Sequence, residues 1–300
     1  MTTLENGDIY TVVTGCQKTW LEDREGGAPY GPEKAARYMA EGQGGRTGTR
    51  LLRVFDKDGE EKVFNALPGL PFVHGVRVDR KNDLYVSALT FREEGDKIPD
   101  GLESHMPFHL TMGSVLKFGD GSGSLPVARV YGEDTPGRPD GPNNLYDATW
   151  WGNRYEKHWC GEIQWGYFGQ TGLGINCSCH HTRMDVDGYA RVFVPAMHLF
   201  SIVVLDTNGN RIARIGRYGN ADHRGKDSFV EDPETGRLRP RRPDDPADLK
   251  SPFAEPDVAF AWVRNVQASD TAIYAMDYDN RRILKAALSY EVQATLDLPQ

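Results

Sequence analysis

The densest group of side chains that could bind a metal lies near the middle of the chain, at Cys177, Cys179, His180 and His181. Thiolates and neutral imidazoles together suit zinc and other soft transition metals. The run CSCH is one residue shorter than the Cys-x-x-Cys-His sequence that attaches haem, and no axial methionine is identifiable, so the spacing argues against covalent haem. The open alternatives are a metal site, a disulfide to Cys160 or Cys16, and histidines that only make hydrogen bonds.

The segment that carries this group, residues 177–218, predicts four short antiparallel strands. Its apolar residues alternate in four runs, which contain Met184 and Val186, Val192 and Val194, Ile202 and Val204, and Ile212 and Ile215. Turn formers separate the runs at Asp187-Gly188 and at Thr207-Asn208-Gly209-Asn210. A meander of about 40 residues is the size of one propeller blade.

Similar units are visible elsewhere in the chain. The first has three strands, GDIYTVV, TRLLRVFD and EEKVFNAL, and lacks an innermost one. The second contains FVHGVRVDRKNDLYVSAL, GSVLKFGD and an outer strand PVARVYG. The third, residues 143–174, is irregular, and we expect its tryptophans to pack between blades. They are Trp150, Trp151, Trp159 and Trp165. The last unit, from residue 260 onward, predicts a full meander of four strands.

These units predict one all-β domain over residues 1–300, with long insertions at about 16–48, 91–112 and 219–257. PEKAARYMAEG in the first insertion predicts a short helix that begins at Pro32. The third insertion is dense in Pro, Asp and Arg and predicts a long or partly disordered loop. Its charged run, residues 237–242, is interpreted as a solvated face.

Composition limits the partners. The chain has 35 basic and 43 acidic side chains and a net charge of −8, so nucleic acid is not expected. No apolar run approaches the roughly 20 residues that span a bilayer, so we expect a soluble protein without a membrane partner. The N-terminus MTTLENGDIY carries no signal peptide, so an extracytoplasmic location would require a longer precursor. The compartment stays open.

Three passages resemble NHL repeats: VRVDRKNDLYVS, TRMDVDGYARVFVP and VQASDTAIYAMDYDNRRILKAAL. The resemblance implies a β-propeller of about five to six blades, in which the first strand of each blade lines a central channel. Because the last unit has four strands and the first has three, the sequence favours a chain that is part of a longer protein. NHL propellers bind proteins, RNA, sugars or metals and sometimes catalyse, so the resemblance is informative about fold and not about function.

The resemblance also implies a site at the channel. Alignment of the repeats on Asp79 and Asp185 places His74 opposite His180, and in the last unit the position falls on Arg264. In related amidating lyases that cleave peptidyl-hydroxyglycine, such histidines hold a zinc. A divalent transition metal, most simply zinc, is therefore expected at His74 and His180, with Cys177, Cys179 and His109 as further candidate ligands.

Arginines of the same inner register could bind an anionic ligand. Arg77, Arg183 and Arg264 are the candidates, although arginines at such positions more often pair with carboxylates such as Asp79 and Asp185. The sequence has no Gly-x-Ser-x-Gly elbow, phosphate loop or His-Glu-x-x-His motif, and it assigns no catalytic residue. Two hypotheses follow: a propeller that binds a small molecule or a protein at its channel face, or a metal-dependent lyase or hydrolase.

Overall fold

The computed structural model of the chain describes residues 2–3, 6–14, 50–63, 66, 75–91, 111–119, 130–131, 144–149, 154–160, 163–170, 182–254 and 256–289. Over these ranges the protein is built from β-strands, with two single-turn 3-10 helices at Met197–Leu199 and Gly225–Asp227. None of these residues belongs to a helix with the length and apolar character that crossing a bilayer requires. The helix expected at residues 32–42 lies outside the described residues.

The strands are numbered in chain order. Those before residue 120 are β1 (Thr2–Thr3), β2 (Ile9–Thr14), β3 (Arg50–Phe55), β4 (Glu61–Val63), β5 (Gly75–Val78), β6 (Leu84–Phe91) and β7 (Thr111–Phe118). Those from residue 130 to 215 are β8 (Val130–Tyr131), β9 (Asn144–Thr149), β10 (Arg154–Cys160), β11 (Ile163–Gln170), β12 (Asp185–Val186), β13 (Val192–Ala196), β14 (Ser201–Leu205) and β15 (Arg211–Ile215). The remainder are β16 (Arg217–Tyr218), β17 (Val230–Glu231), β18 (Leu238–Arg239), β19 (Ala259–Phe260), β20 (Val263–Ala268), β21 (Ala272–Asp277) and β22 (Arg282–Ala287).

Antiparallel pairing arranges these strands as a β-propeller of four blades, which confirms the predicted fold class. Blade 1 is β1-β2-β3-β4, blade 2 is β5-β6-β7-β11, blade 3 is β12-β13-β14-β15 and blade 4 is β20-β21-β22. The described part of the chain thus holds four blades and not the five to six expected. The fourth strand expected in the last unit falls on residues beyond 289, outside the described residues.

The first sequence unit is a complete blade, and the prediction that its innermost strand is missing was wrong. Thr2–Thr3 pairs antiparallel with the start of β2 and supplies that strand. No sequence pattern marked this strand, because two threonines are too short a run to show alternation.

The outer strand of blade 2 also differs from the prediction. The segment PVARVYG forms only the two-residue strand β8, which pairs with β10. The outer position is taken by β11, from the third unit, which pairs with β7 along most of its length. The reason lies in its side chains: Trp165 and Tyr167 pack into the core between blades 2 and 3, as expected for Trp165. The third unit therefore completes blade 2, and this lowers the number of blades.

Three apolar clusters hold neighbouring blades together. The first joins blades 1 and 2 around Tyr10 and Phe118, the second joins blades 2 and 3 around Tyr85 and Val194, and the third joins blades 3 and 4 around Phe193 and Phe260. Blades 2 and 3 each contribute one face to the preceding blade and the other face to the next, which is why their strands alternate between two buried sets. No comparable cluster joins blade 4 to blade 1 within the described residues.

The hairpins share one five-residue turn, which begins at Asp56, Asp79, Asp187 and Asp206. In each turn the aspartate carboxylate accepts the backbone N–H groups two and four residues later, at 2.8–3.0 Å. The residue three positions after the aspartate has a positive φ, and these residues are Gly59, Asn82, Ala190 and Gly209. In the turn that begins at Asp187, the sequence pattern suggested Gly188 as the turn former, but the residue with a positive φ is Ala190. Asparagine and glycine tolerate this conformation, whereas alanine pays a steric cost there.

These turns define two edges of the propeller. The hairpins between the first and second and between the third and fourth strands of a blade share one edge. The second-to-third connections and the links between blades share the other, which we call the insertion edge. All three expected insertions leave from the insertion edge: between β2 and β3, between β6 and β7, and between β15 and β20. The inner strands also begin there, so the channel end at this edge is called the channel mouth.

The third insertion is folded over its described residues. Strands β16 and β19 pair in parallel, and β17 and β18 form a hairpin. The guanidinium of Arg239 pairs with Asp232 at 3.0 Å and with Asp245 at 2.6 Å. Asn280, in the turn between β21 and β22, donates to the carbonyl of Gly219 at 3.0 Å. The ion pairs of Arg239 stabilise the insertion internally, and the Asn280 bond ties it to blade 4.

The recurrent turn predicts opposite effects for two matched substitutions. Gly59→Ala should destabilise the protein by about 1–2 kcal/mol, because φ is +88° and a Cβ there meets no atom within 4 Å, which leaves only the backbone cost. Ala190→Gly should stabilise it by up to about 1 kcal/mol, because glycine removes the same cost at φ +58°. The free energy of unfolding in urea measures both effects. A lower stability of Ala190→Gly than of wild type would show that the backbone of Ala190 is not strained.

Candidate functional site

The inner strands of blades 2 and 3 can be superposed by their turns. Asp79 directly follows β5 and Asp187 directly follows β12. Each carboxylate accepts hydrogen bonds from the backbone N–H groups two and four residues later. The sequence alignment paired Asp79 with Asp185, which is wrong by two residues. The error arises because two aspartates stand two apart in blade 3, and only the turn geometry distinguishes them.

The corrected register changes which residues lie level with one another. Gly75 is level with Arg183, and Arg183 forms a parallel bridge with Asn265 of blade 4. Thr182 is therefore level with Arg264. His74 and His180 lie outside the described residues, so the predicted match of these two histidines with each other and with Arg264 stays a prediction.

Two residues further along each inner strand, three side chains again occupy equivalent positions of blades 2, 3 and 4. They belong to Arg77, Asp185 and Gln267, and we call them the inner layer. Asp185 is only 2% exposed. Its carboxylate accepts hydrogen bonds from Arg77 Nε of blade 2, from Gln267 Nε2 of blade 4, and from the backbone N–H of Ala268 at 2.7 Å. A buried carboxylate requires such compensation, since an unpaired buried charge costs several kcal/mol. Of the two roles considered for Arg77, binding an anionic ligand or pairing with a carboxylate, the structure shows the pairing.

Nearer the channel mouth, Arg183 and Arg264 are held side by side by their backbones. The Arg183 N–H donates to the Arg264 carbonyl at 3.1 Å, and the Val266 N–H donates to the Arg183 carbonyl at 3.2 Å. The Arg183 side chain is exposed and makes no hydrogen bond or ion pair within the described residues. The Arg264 guanidinium lies 5.4 Å from the ring centre of Tyr278. This part of the mouth is therefore cationic.

Asn265 adds an unsatisfied polar atom at the same level. Its Nδ2 lies 3.7 Å from Met276 Sδ, which is a weak acceptor. Its Oδ1 is buried and has no donor within the described part of the chain. Such an atom costs about 1–3 kcal/mol unless a water or a ligand supplies a donor. The mouth thus offers positive charge from two arginines and one free acceptor.

The predicted metal ligands cannot be compared with this geometry. His74, His109, Cys177, Cys179 and His180 all lie outside the described residues. Within the described residues no group of three His, Cys, Asp or Glu side chains is close enough to hold a metal ion. In the sequence, His74 directly precedes β5 and the Cys177–His181 run directly precedes Thr182, where the described part of blade 3 begins.

Sequence reasoning missed three residues at this edge. Gln267 and Asn265 are polar at alternate positions of an inner strand, a signal that was present but was not used. His198 lies in the connection between β13 and β14, and its ring packs edge-on against Trp262 at 5.5 Å. Although His198 keeps substantial solvent exposure, partial burial lowers the pKa of its imidazole, which favours the neutral form. No sequence pattern distinguishes it.

Comparisons with known proteins add little to this geometry. No family model and no curated protein matches the chain. A crystal structure of a protein of unknown function from Bacteroides caccae is 11% identical, with a TM-score of 0.27, and the match covers 75% of this chain and 63% of that one. Virginiamycin B lyase from Staphylococcus aureus is 10% identical, with a TM-score of 0.21, covering 82% and 81%. At these TM-scores neither likeness bears on what this chain does.

The inner layer predicts a large loss of stability for a small change. Asp185→Asn should lower the free energy of unfolding by about 3 kcal/mol, because it leaves the Arg77 guanidinium without its buried counter-charge. Urea unfolding of Asp185→Asn, Arg77→Met and the double variant should give a coupling energy of about 2 kcal/mol. The control is Asp206→Asn, which changes a hairpin-turn aspartate that bonds only within its own turn in the described structure and should cost less. Equal losses in Asp185→Asn and Asp206→Asn would contradict the bridging role.

Proposed function

We propose that this protein is a binding propeller whose channel mouth takes a small anionic molecule, or an anionic group of a partner protein. Arg183 supplies the primary charge and Arg264 the second. The observation that carries the proposal is the contrast between two neighbouring levels. In the inner layer every charge is compensated, whereas at the mouth Arg183 keeps an exposed guanidinium with no partner among the described residues.

Electrostatics supports an anion over a neutral ligand. From the channel mouth down to the inner layer, the inner-strand positions carry three guanidinium groups, on Arg77, Arg183 and Arg264, and one carboxylate, on Asp185. Arginine presents several donors in a fixed plane and suits carboxylate and phosphate oxygens. We therefore expect a ligand that carries at least one such anionic group.

The rigidity of the site also supports binding. The two arginine backbones are joined by inter-blade hydrogen bonds, and the compensated inner layer lies directly beneath them. A site that is formed before the ligand arrives loses less entropy on binding. The resemblance of the repeats to NHL propellers is consistent with a binding role and does not select a ligand.

A panel of small anions tests the proposal. Phosphate, sulfate, citrate and a hydroxydicarboxylate are titrated into the protein, and thermal unfolding is followed, since a ligand that binds only the folded state raises Tm with its concentration. We expect at least one anion to raise Tm, and we expect Arg183→Ala to weaken its affinity at least tenfold.

The matched control is Arg217→Ala, which removes an exposed arginine from β16, and it should keep full affinity. Arg264→Ala should weaken binding less than Arg183→Ala, because the Arg264 guanidinium is already associated with Tyr278. A panel with no effect on Tm, or equal affinity in wild type and Arg183→Ala, would refute the channel-mouth site.

A metal-dependent lyase or hydrolase is the second candidate. Its support is the ligand content of the sequence directly before β5, which contains His74, and directly before blade 3, which contains the Cys177–His181 run. Zinc held by these side chains would polarise a bound water or a substrate oxygen. His74 and His180 would be the first ligands, and the cysteines or His109 would complete the set.

Metal analysis of the purified protein decides this candidate. We expect one equivalent of zinc or another divalent transition metal, reduced by more than half in His74→Ala and in His180→Ala. His223→Ala serves as the control histidine, because it lies in the third insertion and bonds only Asn220 there. Negligible metal in all four proteins, or full metal in both mouth variants, would eliminate the candidate.

A further inference from the structure

The third insertion contains a groove of about 1150 Å³ that has no part in the channel site. We call it the basic groove. Its cationic lining residues are Arg224, Lys226, Arg241, Arg242 and Lys250, and its acidic ones are Asp227, Asp245 and Asp248. All of its described lining residues belong to the connection between blades 3 and 4, and none of them belongs to an inner strand.

The charge of the groove is opposite to that of the chain. Five cations face three carboxylates in the lining, whereas the whole chain carries a net charge of −8. One of the three carboxylates, Asp245, is already paired with Arg239 at 2.6 Å, and Arg239 stands outside the lining. That pairing lowers the pKa of Asp245 and holds its charge within a local ion pair. The groove is therefore a local positive region on an acidic protein, which attracts anions.

The wall of the groove is fixed by its own hydrogen bonds. The guanidinium of Arg241 donates to the carbonyl of Pro246 at 3.3 Å and to that of Leu249. Behind the wall, the hydroxyl of buried Ser228 donates to the carbonyl of Phe253 at 2.6 Å, and Ser251 donates to that of Phe229. These side chains hold the two sides of the groove at a defined separation, so the cleft exists without a ligand.

Arg241 also has one donor that its own chain does not use. Its Nε–H is buried and meets no acceptor within the described residues. A buried donor of this kind costs about 1–3 kcal/mol, and more on a charged group. Because this atom is enclosed, a ligand in the groove would reach Arg241 through its two terminal nitrogens, each of which carries a second N–H that can make a charge-assisted hydrogen bond to a carboxylate.

The remaining lining selects the kind of anion. Apolar side chains alternate with the charges along the groove, at Phe229, Pro240, Pro243, Leu249 and Pro252. The one aromatic ring, Phe229, has the Arg224 guanidinium 5.6 Å from its centre and does not offer an open face for stacking a sugar. A peptide that mixes acidic and apolar side chains matches both features, whereas a sulfated saccharide matches only the charge.

We propose that the basic groove binds an extended peptide segment, rich in Asp and Glu with interspersed apolar residues, from a partner protein. The acidic side chains meet Arg241, Arg242 and Lys250, and the apolar ones pack against the prolines and Leu249. The site is independent of the channel mouth, so either can fail without the other.

An array of synthetic twelve-residue peptides tests this, with acidic, basic and apolar content varied independently. Labelled protein is applied to the array, and the best peptides are then measured in solution by fluorescence anisotropy. We expect the bound peptides to be acidic and apolar, their basic counterparts to be unbound, and affinity to fall as salt rises. The double variant Arg242→Glu/Lys250→Glu should weaken binding at least tenfold, since both side chains are exposed and each substitution reverses a charge.

The matched control is Arg237→Glu, an exposed arginine of the same insertion that lies outside the groove lining and should leave binding unchanged. Unfolding curves of all variants confirm that a loss of binding is not a loss of fold. The proposal is overturned if no acidic peptide binds, if the double variant binds as well as wild type, or if a sulfated oligosaccharide binds through the same residues and the peptides do not.

Discussion

The carboxylate of Asp185 is the interaction on which the arrangement of the described blades most depends. It belongs to blade 3, yet it accepts hydrogen bonds from Arg77 of blade 2 and from Gln267 and Ala268 of blade 4. Because the group is buried and charged, each of these donors is needed, and each fixes the position of one neighbouring blade. A purely apolar contact would allow the inner strands to slide, whereas this set of bonds specifies one register.

The inter-blade cores supply most of the stabilising free energy, and they do so without directional preference. Alternating apolar side chains from facing blades fill each gap, and burial is favourable in any register that keeps the apolar face inward. The polar contacts near the axis then select one register among these. The four aspartate turns act in the same way within a blade, because they set where each hairpin reverses and therefore which side chains face which neighbour.

The distribution of charge connects the fold with the two proposed sites. The chain is acidic overall, but the channel mouth and the basic groove are both places where cationic side chains outnumber carboxylates among the described residues. The groove lies in a connection between blades, where a change of sequence does not disturb a sheet, whereas the mouth is built on inner strands. At the mouth, the inter-blade backbone bonds fix two arginines. In the groove, Arg241 and Arg239 bond to the insertion itself and leave the neighbouring cations exposed.

Much of the architecture was readable from local pattern. Period-two alternation identified the strands of blades 3 and 4, and paired Asp, Asn and Gly residues marked the turns, because both signals depend on residues within a few positions of each other. The sequence also singled out Arg77, Arg183 and Arg264 as residues of the inner strands. It was wrong about Thr2–Thr3, about the outer strand of blade 2, and about the alignment of Asp79 with Asp185.

These errors have one physical cause. Partners that are distant in the chain decide which strand completes a sheet and which of two aspartates begins a turn. Strand β11 joins β7 because Trp165 packs against the core between blades 2 and 3. Asp185 is an inter-blade acceptor because Arg77 and Gln267 lie beside it. By itself the sequence determined that this chain forms repeated antiparallel sheets with an acidic surface. Only the tertiary structure decided that Arg77 is paired with Asp185 while the Arg183 side chain is exposed, because that depends on distances between blades that no local pattern encodes.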